Sequence, residues 1–203
     1  MKYFNTLPKI ISINASGSSI ILTNLLARAS VRPAILNNSI VYYDYLIQEG
    51  DTPEIIAEKY YGDSYRYWIV LYINQITDPQ WQWPLNSHSF TEYLNDKYPN
   101  IDVYATVHSY QKVITKVTQT IDSAQLITTV DVLTVDQDTY NSIGETTITY
   151  TFPESSVTIT TTRNVLSIYD YEFSLNESYR SIKLLNSKYV DQIESELKTL
   201  MAA

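Results

Sequence analysis

Tyr45-Leu46-Ile47-Gln48-Glu49-Gly50-Asp51-Thr52 runs into Pro53-Glu54-Ile55-Ile56-Ala57-Glu58-Lys59-Tyr60-Tyr61-Gly62, with Trp68, Leu71 and Asn74 following. The reading of this stretch decides the fold. Residues 41–48 read as a strand. Gly50 permits the turn out of it. Asp51 or Thr52 can satisfy the free N–H groups of a helix whose first turn holds Pro53 and Glu54. Ile56 and Ala57 pack beneath the sheet, and Gly62 ends the helix. A second helix starts after Asp63 or Ser64, presents Tyr67, Trp68, Val70, Leu71 and Ile73, and is closed by the side chain of Asn74.

Working outward, Asp78-Pro79 is a turn signal, and Trp81 to Leu85 reads as an extended segment. Ser89 to Tyr98 is a short helix ended by Pro99. Toward the N-terminus, Ile20, Ile21, Leu22, Leu25, Leu26 and Ala29 recur at roughly helical spacing. They predict an amphipathic helix, with Ser18 or Ser19 as its cap and Pro33 beyond its end. Residues 101–168 are rich in Thr, Val and Ile. Alternation in Ile101–Tyr104, Val113–Val117, Leu126–Val135, Thr146–Phe152 and Val157–Thr161 predicts short strands in a small barrel or sandwich. Tyr169–Phe173 and Tyr179–Leu185 read as extended. A last helix begins near Asn186 or Ser187, with Val190, Ile193, Leu197, Leu200 and Met201 as its apolar stripe. That stripe suits either the core or a neighbouring subunit.

The expected class is α+β. The expected segments are an N-terminal arm with an amphipathic helix (1–40), a central module with its following helix (41–99), a β-rich insertion (100–168), and an extended segment with a C-terminal helix (169–203).

Bulk properties narrow the function. The 203 residues are 44% apolar, enough for a sizeable core. No run of 18 apolar residues could cross a membrane, and the first 15 residues do not read as a signal peptide. There are no cysteines, so disulfides and thiolate sites are excluded. The formal charge of −8 opposes binding to phosphate backbones. Tyrosine is abundant, 19 against four phenylalanines. A ring with a polar tip suits a surface that becomes buried against a partner, although it is also at home in strands.

Catalytic patterns are missing. His88 and His108 lie in unrelated segments, with no metal-ligand spacing around them. No nucleophile elbow or phosphate loop exists. Asp136-Gln137-Asp138 opens like a calcium loop, but Asn141 and Thr147 stand where glycine and glutamate are needed. A turn between strands is the better reading. No catalytic, cofactor or metal residue is assigned, and no cofactor is expected. The Asn-x-Ser sequons at Asn14, Asn37 and Asn176 carry no weight without secretion. The candidate interface side chains are Tyr60, Tyr61, Tyr65, Tyr67, Trp81 and Trp83, with Ile193, Leu197 and Leu200 on the last helix. The core and a glycan surface are the competing homes for the rings.

Residues 45–79 resemble a LysM module, a βααβ unit, with Gly50, Asp51, Thr52, Ile56, Gly62, Trp68 and Asn74 as its fold determinants. Asp78-Pro79-x-Trp81-x-Trp83-Pro84-Leu85 and Tyr65-Arg66-Tyr67-Trp68 depart from ordinary LysM modules. With the start Tyr3-Phe4-Asn5-Thr6-Leu7-Pro8-Lys9-Ile10 and the stretch Tyr171 to Leu185, the arrangement resembles the gene-53-type baseplate wedge proteins of T-even-like contractile-tailed phages, especially the cyanophage branch. The resemblance covers about half the chain and leaves out residues 101–168.

It implies a non-enzymatic structural subunit of the virion tail, synthesised and assembled in the host cytoplasm. Such a subunit clamps neighbouring wedges around the hub, beside the equivalents of the gene-6, gene-7 and gene-25 products. Nucleic acid and membrane are not expected partners. The alternative is a LysM-type binder of peptidoglycan or a related glycan.

Overall fold

A computed structural model describes residues 2–13, 15–27, 29, 40–120 and 126–202. The chain is α+β and divides into two compact units. One comprises residues 1–87 and 176–203, the other residues 88–175.

The first unit opens with a 3-10 turn over Tyr3–Thr6 and a hairpin of β1 (Lys9–Ile13) and β2 (Ser19–Thr23). The two strands are antiparallel, with Ile11 opposite Ile21 and Ile13 opposite Ser19. The helix expected from Ile20 to Ala29 is therefore a strand over Ser19–Thr23. Gly17, at φ +80°, sits in the loop that reverses the chain, and the run of β-branched residues then pairs with Lys9–Ile13. Local pairing overrides the helical spacing. Pro33, the expected stop beyond that helix, lies outside the described residues.

Next come β3 (Tyr42–Leu46), α1 (Pro53–Tyr61), a 3-10 turn over Ser64–Arg66, and α2 (Tyr67–Ile73). The helix boundaries follow local chemistry. The Thr52 hydroxyl accepts from the Ile55 amide, Pro53 occupies the first turn, and Gly62 closes α1 at φ +67°. Asp63 accepts from the Tyr65 amide and caps the next turn.

β3 has one partner strand among the described residues, and it is distant in sequence. β8 (Ser181–Leu185) runs antiparallel to it, with Tyr42 opposite Leu185 and Leu46 opposite Ser181. The strand–helix–helix segment is thus closed by a strand more than 100 residues downstream, and no strand forms over Trp81–Leu85. Instead Pro79–Gln82 makes a four-residue helical turn, α3, capped by Asp78. The carboxamide of Gln82 reinforces it by accepting from the Thr77 and Asp78 amides.

The C-terminal helix α7 (Val190–Ala202) buries Val190, Leu197 and Met201 in the same core as Ile56, Trp68 and Leu184. Ile193 is half-buried there, whereas Leu200 points to solvent. The expected five-residue stripe is narrower than the spacing suggested. Arg66 ties the α1–α2 junction to α7 through Asp191 and Glu194, each at 3.1 Å.

The second unit holds most of α4 (Ser87–Lys97), then β4 (Val107–Thr120), β5 (Leu126–Val135), α5 (Gln137–Ser142), β6 (Thr146–Thr151), β7 (Ser155–Ser167) and most of α6 (Ile168–Ser178). The four strands form one antiparallel sheet in the order β5-β4-β7-β6. It is a single layer, and the expected barrel or sandwich is not formed.

Three further expectations are corrected in this unit. Ile101–Tyr104 is a turn, because Asp102 accepts from the Tyr104 and Ala105 amides. The Asp136 connection is a six-residue helix capped by Asp136 on Thr139. Tyr169–Phe173, expected to be extended, lies inside α6. Its residues at helical spacing, Ile168 and Glu172, are buried, and Asn176 one turn on is buried in the first unit.

Candidate assembly interfaces

In the first unit, Asp51 organises the loop between β3 and α1. Its carboxylate accepts from the Tyr45 hydroxyl at 2.7 Å, the Gln48 amide at 3.1 Å and Lys59 Nζ at 2.6 Å. Burial pushes the Asp51 carboxyl up, but the hydrogen bonds from Lys59, Tyr45 and Gln48 outweigh it and hold it below the usual carboxylate range. The same bond, with burial, raises the Tyr45 phenol to about 12. Thr52 caps α1 alone. Asp51, the other residue offered as its cap, turns back to the strand.

Trp83 is half-buried against the core, and its indole N–H donates to the Asp51 carbonyl at 2.9 Å. Beside it, Gln48, Glu49, Thr52, Asn86 and Arg180 edge a shallow groove of about 140 Å³. Ligand pockets for small molecules usually hold about 300–1,000 Å³, so this groove suits one side chain better than a sugar chain.

Asn74 joins the helices to the closing strand. Its amide donates to the Val70 and Lys183 carbonyls and accepts from the Lys183 amide, each at 2.8 Å. Asn176 does similar work for Leu85, accepting from its amide and donating to its carbonyl.

The sequence-selected rings divide by exposure. Tyr61 and Trp68 are buried, while Tyr60, Tyr67 and Trp83 pack partly on the core. Tyr65 is exposed, with Lys2 over its ring, and Trp81 is 71% exposed. Leu200 is also exposed, whereas Leu197 is buried and Ile193 half-buried. Gly50 and Gly62 both have positive φ, and Ile56 is buried. Sequence reasoning missed the β1–β2 hairpin as a surface. Ile11, Ile13 and Ile21 on its one face, and Ile10, Ile20 and Leu22 on the other, are all exposed. A two-stranded ribbon is marginal by itself in water, and such a surface suits a partner.

The second unit has its own buried charge. Glu172, 3% exposed, accepts from Lys97 at 2.8 Å, Tyr98 at 2.7 Å and Tyr93 at 3.0 Å. Burial pushes its carboxyl up, but these bonds prevail and lower it. They also raise the Lys97 ammonium well above its usual range. Phe90 meets Tyr169 and Phe173 edge to face beside this cluster, and those two rings stack on each other. Away from it, no residue of the four paired strands is buried, and Ile127, Leu133, Ile148 and Tyr150 are about half exposed. His108 stacks on Tyr171 at 3.8 Å.

Among the described residues, no cluster of three potential metal ligands occurs, and no helix is long and apolar enough to cross a membrane. A search of curated proteins finds no match. Residues 7–202 match the family model described as base plate wedge protein 53, and the chain belongs to that family of structural proteins of the phage tail baseplate.

Proposed function

We propose that this subunit joins neighbouring wedges of the baseplate by laying uncovered apolar surface onto other wedge proteins. The observation that carries this reading is the β1–β2 hairpin, where six large aliphatic side chains lie open on both faces. Ribbons of this kind gain their stability from what they pack against. Trp81 and Tyr65 are the anchors proposed on the rest of the first unit, since aromatic residues are enriched among those that dominate interface energetics, and exposed Leu200 adds apolar area.

The unit built from β3, α1, α2 and β8 is read as a LysM-like module turned to protein contact. The order strand, helix, helix, antiparallel strand supports that reading, with the middle of the chain inserted before the closing strand. The partners proposed are the equivalents of the gene-6, gene-7 and gene-25 products, assembled into the virion in the host cytoplasm.

The test is co-expression with the other wedge proteins of its phage, read by size-exclusion chromatography beside a pull-down on insoluble peptidoglycan. Stable co-elution without glycan binding is expected. Glycan binding without wedge partners would overturn the reading.

A further inference from the structure

The sheet of the second unit sorts its charges by face. Between His88 and Leu175 there are 11 Asp and Glu against four Lys and Arg. One of the four, Lys97, is taken by Glu172. The other three, Lys112, Lys116 and Arg163, belong to the sheet. Lys112 and Lys116 are four residues apart on β4, so they point to one side. Arg163 on β7 is the register partner of Lys112 and therefore shares that side. The other face of the paired strands carries no charge and is largely threonine and valine.

Lys112 and Arg163 are directly opposed like charges, an arrangement that costs free energy in an isolated sheet. Among the described residues, no ion pair removes that cost. Asp131 shares the face, across from Ile114, but makes no ion pair with either lysine. Arg163 lies over the Tyr140 ring at 5.2 Å, which leaves its charge in place. Leu133 stands beside Lys112 in register, and Ile148 and Tyr150 lie on the same side of edge strand β6. A cationic centre thus has apolar flanks, on a unit that is otherwise acidic.

Resting on the baseplate reading above, we infer that this face docks an acidic segment of another baseplate protein, whose carboxylates meet Lys112, Lys116 and Arg163 while its aliphatic side chains cover Leu133, Ile148 and Tyr150. Charge complementarity selects the occupant. A nucleic acid could meet the cations but has no aliphatic side chains to cover Leu133, Ile148 and Tyr150, whereas an acidic polypeptide segment can do both.

The test is zero-length carbodiimide cross-linking of purified virions, which joins amines to carboxylates in contact, followed by peptide mass spectrometry. Acetylation rates of Lys112 and Lys116 are measured in parallel, in virions and in the isolated full-length chain. Expected are links from Lys112 or Lys116 to Asp or Glu of a different baseplate protein, with both amines acetylated more slowly in the virion. Equal acetylation rates would show an open face and overturn the inference. So would links only to a second copy, or shielding with no protein link, which would point to a non-protein polyanion. Absence of the chain from virions would instead overturn the baseplate reading itself, and this inference with it.

A second arm uses the double variant Lys112→Glu/Lys116→Glu, with Glu154→Lys as the control off the sheet. Co-elution with the wedge proteins should weaken at least about tenfold in the double variant and hold in the control. Equal co-elution of both would overturn the docking face while leaving wedge membership intact.

Discussion

Asp51 shows how one buried carboxylate can set a loop. Three donors converge on it, and two of them, Tyr45 and Lys59, come from the strand before and the helix after. Asp51→Asn keeps the shape and removes the charge. It should cost about 2–3 kcal/mol, measured by urea denaturation of the full chain. The pH dependence follows from the direction of the shift. Asp51 and Glu172 have folded pKa values below their unfolded values. Their contribution is present above the ordinary carboxylate range and is lost as pH falls through it, from roughly pH 5 downward. The acid limb of stability should be shallower in Asp51→Asn than in the parent. Tyr45 works in the opposite sense. Its neutral form is favoured, so its share is complete below the ordinary tyrosine range and is lost as pH rises toward about 12. Asn74→Ala should remove three hydrogen bonds at once and cost about 2 kcal/mol. Hydrogen exchange should show the Lys183 amide losing protection, and an unchanged rate would refute the role assigned to Asn74.

At the scale of elements, what could be read in advance depended on how local the deciding contact is. Thr52, Pro53 and Gly62 announce α1 because a capping hydroxyl, a fixed φ and a left-handed turn act within one helical turn. The helix α6 was hidden, since two residues on its buried stripe are Glu172 and Asn176. A hydropathy pattern does not mark such positions as interior. Their burial depends on Lys97, Tyr98 and Leu85, all distant in sequence. The hairpin was hidden for a different reason. Ile20-Ile21-Leu22 fits both periods, and the pairing with Lys9–Ile13 decides between them. The tryptophans after Asp78 looked equivalent in the sequence and are not. Trp83→Ala removes a ring packed on the core and should destabilise the chain by about 3 kcal/mol. Trp81→Ala, at an exposed position, should leave the thermal midpoint nearly unchanged while weakening co-elution with wedge proteins. Equal loss of stability in both would contradict the packing described.

For the whole molecule, α+β character and a β-rich middle were legible from composition and alternation. The partner of β3 was not, because nothing near Tyr42 names a strand 143 positions on. That pairing has a temporal consequence. A ribosome delivers β3, α1 and α2 long before it delivers β8. At about 5–20 residues per second, the gap between Ile73 and Leu185 takes on the order of 5–20 s. During that time the apolar underside of the two helices, with Ile56, Ile69 and Val70, lacks the strand bearing Ile182, Leu184 and Leu185. Nascent chains stalled before residue 181 should be captured by holdase chaperones and cut by proteases. Chains stalled with β8 and α7 clear of the ribosomal tunnel should resist both.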